Sequence, residues 1–395
     1  MISFVTHPYH RGGVTAWTID AVNYLVREGQ ELQFIGVQPR RQFISGSHRP
    51  LIADLLEDKK IKDGLPLEGI VYELGTPNYR AWVLAKEILR KAPLGSTLIP
   101  SDDEACWLAC AMLADRYRFL GVVHSDDPVH YQIFDWFYPY LSGIVTISNR
   151  IARNLPAVGL PVLVAPCGIV LPPSSERERQ RYKLVYVGRL EEQQKRISDL
   201  IPIIALVRRS IPNIQLEIWG HGDAEVALKA DIQAYGMGNS VVLKGWGARE
   251  LILDALAEAT MLVQVSNFEG MSIAVMEAMA MGCMVVSSEV SGVEDYARTE
   301  VGRDLIRLYP IGDRDAAAKA IIEALTVYDL GMAPKARAFA EKHFSIATCM
   351  QTYSAFADNL TIPDGIQPIA TPSVFDRSFS RILACLRYLK YKLGL

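Results

Sequence analysis

The sequence predicts an α/β protein built from two doubly wound parallel-sheet domains. Short apolar segments alternate with longer segments of helical periodicity along most of the 395 residues. The short segments are apolar on both faces, which is typical of strands in parallel sheets covered by helices. A run rich in proline, serine and charge, LPPSSERERQRY at 171–182, interrupts this alternation, which then starts again. A chain of this length also exceeds what one core ordinarily holds.

These observations divide the chain into three parts. We expect a first Rossmann-like domain over residues 1–174, a second over 175–345, and C-terminal helices over 346–395 that return to the first domain. Ligands of doubly wound sheets bind outside the carboxyl ends of the strands. Where two such sheets face each other, the cleft between them is the expected site.

Each predicted strand is a short apolar run, and helical segments such as RAWVLAKEILRK lie between the runs. In the first domain the runs are MISFVT, ELQFIGV, GIVYELG, STLIPS, FLGVVHS, GIVTIS and PVLVAP. In the second domain they are KLVYVGRL, IQLEIWGHG, SVVLKGW, ATMLVQVS and MVVSSEV.

Composition argues against a nucleic-acid-binding protein, a secreted protein and a membrane-spanning protein. Lys and Arg number 41 and Asp and Glu 44, for a net charge of −3, whereas a protein dedicated to nucleic acid carries clustered excess cation. Neither a signal peptide nor a spanning helix is predicted, because no basic leader precedes an apolar core and no run approaches about 18 apolar residues. The six cysteines lack metal-ligand spacing, so we expect buried, reduced thiols in a cytoplasmic protein.

The end of the first strand of the second domain carries cations. Gly188 and Arg189 follow LVYV, and Lys195 comes six residues after the arginine. Glycine permits close approach to the backbone, and a guanidinium presents a planar fork to phosphate. These residues therefore indicate a diphosphate site, although solvated cations on an exposed loop would give the same pattern.

A second group follows the strand MLVQVS, in the stretch NFEGMSIAVMEAMAMG at 267–282. A helix is expected to begin near Gly270 or Met271, and its free N–H groups would bind an anion. Glu269 would lie in the loop before it, and Glu277 roughly two turns into it. Both carboxylates can face one ligand. The alternative is that Glu269 complements the helix dipole and Glu277 pairs with a neighbouring cation.

Other motifs give weaker evidence for a functional site. Gly12-Gly13 follows the first strand, but the three-glycine dinucleotide fingerprint is absent there, and Gly220-His221-Gly222 lacks its third glycine. His124 ends FLGVVH and is either structural or directed at the cleft. Asp313-Arg314-Asp315 has the spacing of a metal site, but it precedes the helix AAAKAIIEAL, so helix capping explains it better. No metal site is predicted.

Taken together, these residues resemble the retaining, GT-B-fold glycosyltransferases of family four (glycosyl transferases group 1). The resemblance rests on GGV at 12–14, VGRL with its later lysine, and above all FEG followed by EAMA and Gly282. EDYA at 294–297 and ARAFAEKHFS add to it, and it covers about 170 residues of the second domain. In the first domain it is limited to the rhythm of the elements, the glycine pair, His124 and Ser148.

The resemblance implies transfer of a sugar, with retention of configuration, from a nucleoside-diphosphate sugar to a saccharide or lipid-linked saccharide in surface polysaccharide or glycoconjugate synthesis. The nucleotide sugar is a substrate, and no cofactor is implied. Arg189 and Lys195 would hold the diphosphate, Glu269 would face the sugar and Glu277 would bind the ribose hydroxyls. The remaining implied donor residues are Gly13, His124, Gly188, Gly270, Met271, Ser272 and, at the base, Leu243 to Trp246. The catalytic set is Glu269, His124, Arg189 and Lys195.

Four positions depart from the family pattern. Met271 and Ser272 stand where an aromatic residue and a glycine are usual, Met284 replaces a proline, and Arg196 replaces a glycine. These departures bear on the donor sugar more than on the fold. Two other functions stay open: an inactive GT-B scaffold that binds sugar nucleotides, and a GT-B-fold sugar-nucleotide epimerase.

The C-terminal tail, residues 375–395, reads as a basic amphipathic helix. Its leucines and Phe379 fall on one helical face, and its arginines and lysines lie elsewhere. Such a helix either lies on an anionic membrane, on the inner face if the protein is cytoplasmic, or docks on the first domain of its own chain.

Overall fold

The computed structural model describes residues 1–6, 13–29, 33–38, 67–68, 77–101, 103–329, 331–373 and 376. Gly12, the predicted strand GIVYELG at 69–75 and, apart from Asp376, the tail at 375–395 lie outside the described residues. Within them, no helix is long and apolar enough to cross a membrane.

Two parallel sheets form the frame of the molecule, as the sequence predicts. The first has the order β3-β2-β1-β4-β5-β6-β7. Its strands are β1 Ile2–Thr6, β2 Gln33–Gln38, β3 Leu67–Glu68, β4 Thr97–Pro100, β5 Arg118–Val123, β6 Gly143–Thr146 and β7 Val162–Val164. The second has the order β10-β9-β8-β11-β12-β13. Its strands are β8 Gln180–Val187, β9 Gln215–Trp219, β10 Val241–Gly245, β11 Ala259–Gln264, β12 Met284–Ser288 and β13 Ile306–Tyr309.

Helices follow most strands, as a doubly wound fold requires. In the first domain they are α1 Gly13–Arg27, α2 Pro77–Lys91, α3 Glu104–Ala111, α4 Pro128–Phe137 and α5 Asn149–Asn154. In the second domain they are α6 Leu200–Ser210, α7 Glu225–Ala234, α8 Arg249–Glu258, α9 Ile273–Ala280, α10 Val293–Ala297, α11 Gly302–Leu305, α12 Arg314–Val327 and α13 Met332–Phe344. The last described helix is α14, Ile346–Asp358.

Strand order places the site. In each sheet the chain first adds strands on one side of the first strand and then on the other side. This change of side falls between β1 and β4 in the first domain and between β8 and β11 in the second. Ligands of doubly wound sheets bind at such switch points, outside the carboxyl ends of the strands. The candidate residues after β8 and β11 therefore lie at the switch point of the second sheet.

Helix α14 leaves the second domain and packs on the first. Tyr353 is fully buried there, with its ring centroid 5.8 Å from that of Trp17 in α1. Arg118 of β5 donates a hydrogen bond of 3.0 Å to the carbonyl of Ala357. Helix α14 is thus part of the core of the first domain.

The described cysteines are buried free thiols, which confirms that expectation for Cys106, Cys110, Cys167, Cys283 and Cys349. Burial raises the pKa of the Cys283 thiol to about 11, although Arg179 opposes the shift. Cys385 lies outside the described residues.

Candidate functional site

The loop after β8 brings Arg189 and Lys195 to the edge of the second sheet. Arg189 is largely exposed, and its guanidinium donates to the side-chain oxygen of Gln194. Lys195 is mostly buried, and its Nζ lies 2.5 Å from Glu269 Oε1. The backbone carbonyl of Gln194 accepts a 2.7 Å hydrogen bond from Asn267 N. The loop that carries the two cations is therefore bonded directly to the loop that carries Glu269.

Glu269, in the loop after β11, is a buried carboxylate with several donors. Besides Lys195, the Ser266 hydroxyl donates to Oε1 at 2.6 Å and Gln194 Nε2 to Oε2 at 3.4 Å. Buried carboxylates are stable only when such partners offset their lost hydration. In this structure Glu269 forms an ion pair with Lys195. It lies in the loop before the helix, as the sequence predicts.

Helix α9 begins at Ile273, slightly later than the sequence suggests, with Ser272 at the N-cap. The Ser272 side chain makes no capping hydrogen bond, and both Ser272 and Met271 are buried. Glu277 is therefore only the fifth residue of the helix, one turn in, so the expected depth of two turns was wrong. Because the first N–H groups of a helix lack helical partners, this end can accept an anion.

Glu277 is buried and pairs with a cation, the alternative that the sequence left open. Arg249 Nε, at the start of α8, donates to Glu277 Oε1 at 2.7 Å. Burial raises the pKa of Glu277, and the charge and hydrogen bond of Arg249 oppose that rise. Sequence reasoning missed Arg249, because an arginine at the start of an exposed helix carries no sign of a partner 28 residues away.

The first domain contributes His124 and Gly13. His124 directly follows β5 and is buried, with Nδ1 3.5 Å from Sγ of Cys167 and its ring centroid 5.0 Å from that of Trp17. Gly13 is the first residue of α1, and a Cβ there would lie 3.5 Å from Ile273 Cδ1. The N-termini of α1 and α9 therefore lie side by side across the cleft.

Gly270 lies at a close contact between the two domains. A Cβ at this position would lie 1.8 Å from the carbonyl oxygen of His124 and 2.3 Å from Ile147 Cδ1. Next to it, Asp126 N donates a 3.2 Å hydrogen bond to the carbonyl of Glu269. The resemblance implies that Gly270 contacts the donor, and in the structure the backbone of the first domain lies against this glycine.

Two predicted positions lie further out. Gly188 ends the strand region, and its N–H donates to the Trp219 carbonyl at 3.0 Å. Trp246 follows β10 and is 68% exposed, so its indole face is open to a ligand.

Asp313 caps α12 by accepting a 2.9 Å hydrogen bond from Ala316 N, which confirms the capping interpretation. Among the residues that the structure describes, no cluster of three His, Cys, Asp or Glu forms a metal site.

Known proteins resemble this chain in sequence and in fold. The family described as glycosyl transferases group 1 matches residues 181–326. HepE of Anabaena, solved with UDP, superposes with a TM-score of 0.69 at 16% identity, covering 91% of this chain and 100% of that one. The fold is GT-B. The apo lipopolysaccharide outer core galactosyltransferase WaaB superposes with a TM-score of 0.59 at 18% identity, covering 90% and 98%.

Curated relatives match parts of this GT-B chain. The lipopolysaccharide 1,6-galactosyltransferase of Salmonella typhimurium is 28% identical over 52% of this chain and 62% of its own length. The poly(glycerol-phosphate) α-glucosyltransferase of Bacillus subtilis is 29% identical over 39% of this chain and 20% of its own. The amylovoran biosynthesis glycosyltransferase AmsK of Erwinia amylovora is 32% identical over 42% of each. The chain thus spans less than two thirds of each of these relatives.

Proposed function

We propose that this protein is a retaining, metal-independent glycosyltransferase. It would move a sugar from a nucleoside-diphosphate sugar to a saccharide or lipid-linked saccharide during synthesis of a surface polysaccharide or glycoconjugate. The observation that carries the proposal is the meeting of Lys195, Arg189 and Glu269 at the switch point of the second sheet. The glycosyltransferase names of its relatives and the UDP bound to HepE support it.

The charges suit a leaving diphosphate. Breaking the bond between the sugar carbon and the phosphate oxygen leaves negative charge on the diphosphate. Arg189, Lys195 and the N-terminus of α9 are donors that this charge needs, and charge-assisted hydrogen bonds each contribute on the order of 1.5–3 kcal/mol. With three such partners available from the protein, the proposal requires no metal.

Retention follows if the acceptor attacks the face from which the diphosphate departs. The acceptor oxygen bonds to the sugar carbon, the carbon–phosphate-oxygen bond breaks, and the acceptor proton passes to the leaving diphosphate. Glu269, opposite Lys195, would hold the sugar and release the lysine to the phosphate. His124 would contact the sugar from the first domain, and Glu277 would bind the ribose hydroxyls.

The test is to incubate the protein with UDP-sugars and GDP-sugars, with and without glycoside acceptors, and to follow nucleotide release and product anomers. Release that depends on an acceptor, with the donor configuration kept, is the expected result. Epimerised donor would instead support the epimerase, and tight binding without turnover would support the scaffold.

Glu269→Gln is the decisive variant. It keeps a polar group for Ser266 but removes the charge that faces Lys195, so we expect turnover to fall on the order of 10²–10³-fold with nucleotide affinity changed little. Glu323→Gln, an exposed glutamate paired with Lys319, is the control and should turn over like the parent. An unchanged rate in Glu269→Gln would refute the role given to Glu269.

A further inference from the structure

Arg249 links three groups at the nucleotide end of the cleft. Its Nε donates to Glu277, a second guanidinium nitrogen lies 4.0 Å from Asp20 of α1, and a third donates to the Val170 carbonyl at 3.5 Å. Asp20 belongs to the first domain, Glu277 to the second, and Val170 to the segment between them. The guanidinium therefore lies where the two domains and their connection meet.

The contact leaves part of Glu277 available. Among the described residues, the hydrogen bond to its side chain is the one from Arg249, and it ends on Oε1. Oε2 accepts none from that part of the chain. A carboxylate can accept about four hydrogen bonds, so two adjacent hydroxyls can bind while Arg249 stays in place.

We propose that Arg249 is a positioning residue for the nucleotide, which holds the Glu277 carboxylate charged and correctly oriented for the two ribose hydroxyls. The inference rests on the proposed function, because it takes the ribose of a nucleoside diphosphate as the ligand of Glu277. Arg249 acts through Glu277 and need not touch the nucleotide.

The surroundings of Glu277 explain why it needs this partner. Burial raises the pKa of Glu277, Arg249 opposes the rise, and the charge of Asp20 adds to it. Burial likewise raises the pKa of Asp20, against Arg249, a hydrogen bond from Val170 and the charge of Arg27. Of the other packed elements, α13 brings Arg337, which is bonded to the Ala280 carbonyl at the far end of α9. Among the described residues, Arg249 is thus the cation that opposes the effect of burial on the pKa of Glu277.

The experiment measures affinity for UDP and GDP, and then for the 2′-deoxy form of the tighter one, by calorimetry from pH 5.5 to 8.5. The parent protein should prefer the ribonucleotide. Arg249→Gln should weaken ribonucleotide binding on the order of 10-fold at pH 7, and it should lose most of the preference over the deoxy form. Its affinity should recover as the pH rises, because Glu277 then ionises without help.

Three further variants make the test specific. Arg249→Lys should restore much of the affinity, since a cation is back beside Glu277. Asp20→Asn should bind more tightly than the parent at the acid end, because a charge that raises the pKa of Glu277 is gone. Arg177→Gln is the matched control: Arg177 also pairs with α8, through Asp254 and Glu258, and is similarly exposed, but it lies away from Glu277.

The outcomes separate the two proposals. If Arg249→Gln folds and binds ribonucleotide and deoxynucleotide like the parent at every pH, the role of Arg249 is wrong and the proposed function stands. If an equal loss occurs for both nucleotides without any pH dependence, Arg249 is structural only. If the parent protein binds neither UDP nor GDP, the proposed function itself fails, and this role fails with it.

Discussion

Glu269 and Glu277 each hold one cation of their own domain. Glu269 pairs with Lys195 at 2.5 Å and Glu277 with Arg249 at 2.7 Å, and both carboxylates are buried. An unpaired buried carboxylate would be costly, so each pair offsets the lost hydration of its carboxylate. In the proposed function, a diphosphate and a sugar would exchange with the first pair, because together they would offer an anion to the lysine and hydroxyls to the glutamate.

Replacing Gly270 with alanine adds a single methyl group and tests the contact between the domains. In Gly270→Ala, the new Cβ would collide with backbone atoms of His124, which cannot move as a flexible side chain would. We expect a loss of about 1–3 kcal/mol in the free energy of unfolding, as for other overpacked sites, measured by thermal or denaturant unfolding.

Gly238→Ala is the control for that substitution. Gly238 is an exposed glycine with nothing within 4 Å of an added Cβ, so its replacement should leave stability equal or slightly higher. Equal unfolding midpoints for the two variants would show that the domains do not meet at Gly270 in solution.

At this scale the sequence predicts the acids and cations of the site but not their pairing. Glu269, Lys195 and Arg189 stand out because charged residues follow apolar strands. Gln194, Ser266 and Arg249 do not, because glutamine, serine and an exposed arginine are ordinary in loops and at helix starts. Ser266 contacts Glu269 three residues away, but the importance of Arg249 and Gln194 lies in contacts with Glu277 and Glu269, 28 or more residues apart in the sequence. Such contacts need the folded structure.

Helices α5 and α10 join the two domains beside the candidate site. The hydroxyls of Ser148 and Ser291 lie 2.5 Å apart, and Asn149 N donates to Asp295 at 2.7 Å. Arg150 forms two hydrogen bonds with Glu294, one of 2.8 Å from Nε. Glu294 is almost fully buried, so this pair is the strongest electrostatic link that we identify between these helices.

The link predicts a pH dependence. Burial would raise the pKa of Glu294, but Arg150, followed by Arg298 and Arg153, holds it below its ordinary value of 4.5. A lowered pKa in the folded state means that the stabilisation is present above the ordinary value and is lost as the pH falls through the folded one. Arg150→Gln should cost about 2 kcal/mol of unfolding free energy at neutral pH, less than most broken buried pairs because two arginines remain. In denaturant titrations, the difference from the parent should shrink as the pH falls below that ordinary value.

Arg153→Gln is the control, because it removes one positive charge from the same helix without breaking the bond between Arg150 and Glu294. Arg153 lies on the same helix and faces the same glutamate, but its side chain is 61% exposed and 3.7 Å away. Exposed pairs contribute about 0–1 kcal/mol, so its replacement should be nearly silent. If Arg150→Gln were equally silent, α5 and α10 would not be held together by Glu294.

Element by element, the sequence predicts strands well where both faces are apolar. Strand β13, IRLY, was missed because it is only four residues long and Arg307 interrupts its apolar pattern. The predicted start of α9 was two or three residues early, because Gly270 packs against the first domain and does not begin the helix.

On the scale of the whole molecule, the described part of the chain crosses between the domains twice. The segment after β7 leads into the second sheet, and α14 brings the chain back onto α1 and β5. Past α14, Ile369 N still donates to the Ala111 carbonyl of the first domain, at 3.2 Å. The first domain is therefore completed by residues that follow the second, and we expect its stability to depend on α14.

Tyr353 tests that dependence. It is fully buried beside Trp17, so Tyr353→Ala should cost about 3–5 kcal/mol, as for other large aromatic residues removed from a core. Its hydroxyl finds no hydrogen-bond partner among the described residues, so Tyr353→Phe should be neutral or slightly stabilising and serves as the control. Hydrogen exchange should show the loss from Tyr353→Ala in peptides of β1, β4 and β5, while peptides of β8 and β11 keep their protection. Loss confined to the second domain would mean that α14 belongs there, and the first domain would then be complete without it.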